Sequence, residues 1–235
     1  MHPRSTTVRR ALGLVMLAAL AALGVVALAA CGGDEKKAKA RPLPEDQKAL
    51  RPGTYRSEEF KPSLSFHVGK GWSSSPPEAS DSLAIARGQT RGMNFTNVQE
   101  VYKPTKTGSA NVVDAPKDID GWFQLHPYLQ TSKPEPVTVG GVKGVEFDVG
   151  VGELPKGYNL TTCSSITGAP NCVDLVRLST GVSLFVAEGE KVRVIVLEDL
   201  EGETVTIGIL SPASEFEEFV PEAQKVIDTV KWTGS

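Results

Sequence analysis

The sequence predicts an α+β domain, an antiparallel sheet with two helices on one of its faces. Three observations lead there. Short runs that alternate apolar and polar residues recur along the chain, as in Leu64-Ser65-Phe66-His67-Val68 and Val145-Glu146-Phe147-Asp148-Val149. Glycine turns punctuate them, at Gly69-Lys70-Gly71, Gly140-Gly141, Glu188-Gly189-Glu190 and Glu201-Gly202. Two stretches then switch to helical spacing, one around Trp122 and one close to the C-terminal end.

The strands come first. Besides the two alternating runs, Ser82–Arg87, Phe95–Tyr102, Val173–Leu178, Val182–Ala187, Val192–Leu197 and Thr204–Leu210 are rich in β-formers. The last three are joined by tight connections and predict an antiparallel meander. Asp114 and Pro116 predict the start of the first helix, with Ile119, Trp122, Phe123 and Leu125 at helical steps. His126-Pro127 ends it, because proline disfavours helical geometry in the residue before it. In the second helix Phe216, Phe219, Val220, Ala223, Val226, Ile227 and Val230 recur at three- and four-residue intervals. Ser214 and Glu217 are spaced as a capping box, and Pro221 is expected to divide a first turn from a longer helix. A pure β-sandwich is the other reading, and that apolar stripe speaks against it.

The N-terminal part has a different composition. Met1–Arg10 carries Arg4, Arg9 and Arg10 and no acid, and Ala11–Ala30 carries no charge. At 1.5 Å per residue such a run is long enough to span a bilayer. Its end, Leu28-Ala29-Ala30-Cys31, resembles the lipobox of bacterial lipoprotein signal peptides: an apolar residue, two small ones, then the cysteine that receives the lipid. The expected organisation is a signal peptide over 1–30, a lipidated Cys31 with a flexible linker over 31–53, and one globular domain over 54–235. The linker expectation rests on mixed charge, Pro42, Pro44 and Pro52, and few large apolar side chains. Such a chain is anchored to the extracytoplasmic side of the cell membrane by lipid and does not span it.

The net charge is −3, and without the three leader arginines it falls to −6, from 22 basic and 28 acidic residues. That balance argues against a nucleic-acid partner. With Cys31 assigned to lipid, Cys163 and Cys172 remain in an oxidising compartment, where an even count predicts a disulfide. It closes a ten-residue loop and contributes roughly 2.7 kcal/mol by the chain-entropy estimate. Two thiols with no histidine nearby are too few for zinc.

No catalytic motif occurs, and no cofactor or metal is expected. His67 reads as a solvent-facing or sheet-edge residue and His126 as a structural one. Gly140-Gly141-Val142-Lys143-Gly144 opens no helix, so it reads as a hairpin turn rather than a phosphate loop. Asp118-Ile119-Asp120-Gly121 lacks the closing glutamate of a calcium loop, and Glu198–Glu203 reads as a solvated hairpin. Trp122 and Trp232 are expected in the core. Tyr55, Tyr102, Tyr128 and Tyr158 could line a groove, although nothing in the sequence places them together.

Phe66 to Gly71-Trp72, Val137-Thr138-Val139-Gly140-Gly141 before Val145–Val149, and the closing Ala223, Val226, Ile227, Thr229 and Val230 together resemble exported lipoproteins of actinobacterial type with a Mog1/PsbP-like fold. Gly69 stands where that pattern commonly has proline, and the loop from Cys163 to Cys172 has no counterpart in it. The resemblance spans Thr54 to Thr233 and implies a partner-binding or accessory subunit with no catalytic residue to carry over. The expectation is therefore a non-enzymatic binding or accessory lipoprotein for a protein, lipid or small ligand of the cell envelope. The alternative is an envelope hydrolase using scattered carboxylates or a Ser/His pair.

Overall fold

The computed structural model describes residues 39–106, 111–158 and 171–233. In chain order the strands are β1 (Arg41–Pro42), β2 (Gly53–Arg56), β3 (Leu64–Val68), β4 (Ser73–Ser74), β5 (Ser82–Arg87), β6 (Arg91–Asn97), β7 (Glu100–Lys103) and β8 (Asn111–Asp114). After helix α1 (Ile119–Leu125) come β9 (Leu129–Thr131), β10 (Glu135–Val139), β11 (Val142–Val151), β12 (Cys172–Arg177) and β13 (Ser183–Ala187). Then β14 (Glu190–Leu200), β15 (Glu203–Pro212), helix α2 (Phe216–Ile227) and β16 (Lys231–Trp232) close the chain.

An eight-stranded sheet forms the middle layer, in the order β10-β11-β14-β15-β6-β5-β4, with β9 also pairing β11. Its central strands are apolar at both parities. Ile195 and Leu197 lie opposite Ile207 and Val205 on one face, while Val194 and Val196 lie opposite Phe147 and Val145 on the other. A consecutive run such as Val194-Ile195-Val196-Leu197 is what a sheet covered on both faces requires.

The two covers are distinct. On the Ile195 face, Phe216, Phe219, Ala223 and Ile227 of α2 pack together with Leu64 and Phe66 of the four-stranded sheet β1-β2-β3-β16. Phe66 stacks on Phe95 of β6 at 5.8 Å. On the Val194 face, Ile119 and Phe123 of α1 pack with Val101, Val173 and Val186 of a second four-stranded sheet, β13-β12-β7-β8. The α+β class holds, but the two helices lie on opposite faces of the middle sheet rather than on one. Each face of β14 is a separate apolar surface, and each needs its own cover.

Local expectations also need correction. Only β14 and β15 of the expected meander are hydrogen-bonded partners. β13 pairs with β12, so the turn at Gly189 carries the chain from one sheet to another. Helix α1 begins at Ile119 with Asp118 as its cap, its Oδ1 accepting from the Gly121 N–H at 2.9 Å, whereas Asp114 ends β8. α2 starts after Glu215 without a side-chain cap bond and runs unbroken through Pro221.

The described part of the expected linker is fastened to the domain. β1 pairs in parallel with β2, and Arg41 donates to the carbonyls of Arg51 and Pro52 while its guanidinium covers the Tyr55 ring. Leu50 is buried, and Ser74 ties down Lys48 and Asp46. Two leucines, Leu50 buried and Leu43 half-buried against the same core, and a set of backbone bonds dock a segment whose composition is that of a linker. Cys31 and the apolar run before it lie outside the described residues, as does Cys163. Among the described residues no helix is long and apolar enough to cross a membrane.

Candidate functional site

The corner where α1 meets β9 gathers polar groups that the fold does not satisfy. Ile119 and Phe123 seat α1 on the middle sheet, Phe123 against Phe147 with ring centroids 5.7 Å apart. That leaves Trp122 half-buried beside His126 one turn later, rings 5.1 Å apart and edge-on. Pro127 forces His126 out of helical geometry, to φ −68° and ψ 121°, and the chain turns back at once. The Tyr128 N–H donates to His126 Nδ1 at 3.3 Å, and the Gly152 N–H fastens the Tyr128 carbonyl to the end of β11.

The result is a row of rings. Trp122, His126, Tyr128 and Tyr158 follow one another with centroids 5.1, 5.9 and 5.2 Å apart, all in edge-on contact. His126 is 5% exposed at its centre, the other three are half-buried, and Leu125 beside it is 85% exposed.

The hydrogen bond at Nδ1 decides the tautomer. An imidazole nitrogen that accepts an N–H leaves the neutral ring's proton on Nε2. That Nε2–H is buried and has no partner among the described residues. Gln124 Nε2 is in the same condition, while its Oε1 accepts from the Thr131 hydroxyl at 3.1 Å. Burial pushes the His126 pKa down to about 4, so the ring is neutral across the physiological range. Burial, the nearby Asp174 carboxyl and Tyr128 together push the Tyr158 hydroxyl up to about 12. Asp174 is itself raised by burial, with Oδ1 unpartnered among the described residues. The corner thus offers uncharged donors within an aromatic surround, suited to holding an acceptor-bearing ligand. A neutral imidazole whose Nδ1 is already engaged is poorly placed as a general base.

A depression of about 400 Å³ lies elsewhere, where β11 parts from the start of β14. Its carboxylates are largely engaged. Asp148 accepts from Arg193 Nε at 2.8 Å and faces Lys191 Nζ at 3.6 Å, while Glu190 accepts from the Ala187 N–H.

The remaining candidates separate. His67 is exposed on β3, on the far side of the middle sheet from His126, so the two histidines form no common centre. Gly140-Gly141 is the β10–β11 hairpin turn, and Glu198–Glu203 spans the β14–β15 turn. No group of three or more His, Cys, Asp or Glu is placed to hold a metal among the described residues. Trp72 and Trp232 are core residues, as expected of Trp232, while Trp122 is only half-buried. Tyr55 and Tyr102 are buried and bonded elsewhere, which leaves Tyr128 and Tyr158 as the pair that meets. Cys172 is buried at the start of β12 opposite Ala187. Gln124 and Asp174 had no reading from sequence, although an aspartate inside Val173-Asp174-Leu175-Val176 departs from the apolar run around it.

No family model matches the chain, and no curated protein does. Solved structures similar to it include two that cover most of the chain. PsbP from the cyanobacterium Synechocystis is 9% identical, with a TM-score of 0.40, over 81% of this chain and 99% of the other. LpqN, which is involved in cell envelope biogenesis in Mycobacterium tuberculosis, is also 9% identical, with a TM-score of 0.31, over 79% of this chain and 90% of the other. Similarity of this size is weak, and it leaves the functional reading to the chain's own residues.

Proposed function

We propose that this chain is an extracytoplasmic lipoprotein, held at the membrane by lipid on Cys31. Its domain is a non-enzymatic binding or accessory module. The observation that carries the binding role is the Trp122–His126–Tyr128–Tyr158 row, with a buried, unpartnered His126 Nε2–H at its centre. A buried donor left unmade is costly, and an incoming acceptor relieves that cost. The half-buried rings supply apolar area around it. The favoured occupant is a segment of an envelope protein or a small envelope molecule with a ring or apolar body and a carbonyl or carboxylate acceptor. Leu28-Ala29-Ala30-Cys31 supports the location, and a disulfide between Cys163 and Cys172 belongs to the same reading.

Photo-crosslinking tests it. A photoreactive side chain replaces Leu125 in the full-length chain, expressed in its own host and irradiated in intact envelopes. A discrete adduct is expected, falling about tenfold when Tyr128→Ala and Tyr158→Ala are combined, the scale of two lost ring contacts. Undiminished adducts in the double variant overturn the assignment of the row.

A further inference from the structure

We propose that the outer face of the β1-β2-β3-β16 sheet lies against an anionic lipid surface, so that the anchored domain has one preferred orientation. This rests on the lipid anchor at Cys31. The register sets the face. Arg56 lies opposite Ser65, Thr54 opposite His67, and Lys231 opposite Ser65. The alternate positions Tyr55, Leu64, Phe66 and Trp232 are buried against α2 and the middle sheet. Arg56, His67 and Lys231 are therefore presented outward together, and exposed Lys61 and Lys70 flank the two ends of β3.

Charge complementarity selects the partner. Residues 39–70 carry seven lysines and arginines against four acids, whereas residues 71–230 carry twelve against twenty-two. An acidic domain with one cation-rich sheet is expected to present that sheet to negatively charged headgroups and to turn the rest away. The acids near the sheet are partly engaged: Glu58 pairs with Arg56 at 2.6 Å, and Glu78 accepts three backbone N–H groups from Glu58 to Phe60. α2 shares the layer and exposes Glu217 and Glu218 against Lys225, with exposed Asp228 just after it, which places the lipid contact on the sheet rather than on the helix.

Chain length agrees. β1 is an edge strand of this same sheet, and Arg41 follows Cys31 by ten residues. Ten residues reach at most about 35 Å even when fully extended, which keeps the sheet's edge within reach of the headgroups. The Trp122–Tyr158 row packs on the opposite face of the middle sheet and would point away from the lipid.

The test uses the full-length acylated chain in vesicles of phosphatidylcholine alone, or with roughly a third phosphatidylglycerol to set the surface charge. Ser65→Cys reports on the proposed face and Val182→Cys on a distant exposed position. Each is read as its modification rate by a water-soluble maleimide, relative to the same variant in detergent, with the unsubstituted chain as background. On anionic vesicles Ser65→Cys is expected to react about fivefold more slowly than Val182→Cys, and high salt should erase the difference. Combining Arg56→Gln, Lys70→Gln and Lys231→Gln should erase it as well. Equal rates on anionic vesicles overturn the face, and equal slowing on phosphatidylcholine overturns the role of charge. Flotation is a separate readout: a chain that does not float with either vesicle refutes the anchor itself, and the orientation with it.

Discussion

His126 concentrates the energetics of the corner in one ring. Its folded pKa of about 4 lies below the ordinary 6.5, so the folded state favours the neutral imidazole. The associated stability is therefore fully present above pH 6.5 and is lost as the pH falls from there through about 4. The shift corresponds to about 3 kcal/mol between the two ends of that window. Urea unfolding at pH 7 and at pH 4.5 should show the wild type losing more stability on acidification than His126→Gln. Parallel losses in the two proteins would mean that the ring is not held neutral by burial. His126 and Tyr158 should add no pH dependence to ligand capture from about pH 5.5 to 8, because both rings stay neutral there, and a slope in that interval would point to the buried Asp174 carboxyl beside Tyr158. None of this was legible one residue at a time. A histidine before proline reads as a helix end, and only the return of Tyr128 onto Nδ1 shows which nitrogen is left over.

The β10–β11 hairpin shows how an element can be locally legible and still owe its tolerance to a distant strand. Gly140-Gly141 announces the turn, and Gly140 sits at φ 57°. What the turn cannot announce is Trp232, whose Nε1 donates to the Val139 carbonyl at 3.0 Å and whose ring would lie 2.8 Å from a Cβ at position 140. Gly140→Ala should cost about 2 kcal/mol or more, since strain and a clash add. Gly141→Ala, at φ 89° with open space around it, should cost measurably less. Equal shifts in the denaturation midpoint would deny Trp232 its role.

Other elements divide along the same line. β3 occupies the bounds read from alternation, because a half-buried strand writes its period directly into the sequence, and β5 occupies the bounds read from its β-formers. The Gly189 turn was equally visible, yet turn chemistry does not say whether the next strand pairs with the previous one or crosses to another sheet. The start of α1 was missed for a related reason. Asp114 and Asp118 are both plausible caps, and β8 claims the first through its pairing with β7. Helices on opposite faces were readable in principle from Val194–Leu197, where apolar residues occupy both parities.

At the scale of the whole molecule, location and orientation are both chain-connectivity statements. Cys31→Ser should move the protein from the membrane fraction to the soluble extracytoplasmic fraction. The released chain keeps Cys163 and Cys172 as its only cysteines. It should therefore show no thiol reactive to maleimide until it is reduced. Continued membrane association would refute the anchor, and two reactive thiols would refute the bridge.

The docking of β1 also has a mechanical side. β1 is a two-residue parallel strand at a sheet edge, and between it and Leu50 the chain is held by half-buried Leu43 and a few bonds to Ser74. A pull on the chain from its N-terminal side loads these bonds one after another, as a zipper is opened, while Phe66, Phe95 and Phe219 stay packed. Peeling back to Ala49 frees nine residues and about 30 Å of reach without unfolding the domain. Peeled in this way, the segment would let an anchored domain reach a partner that stands farther from the membrane.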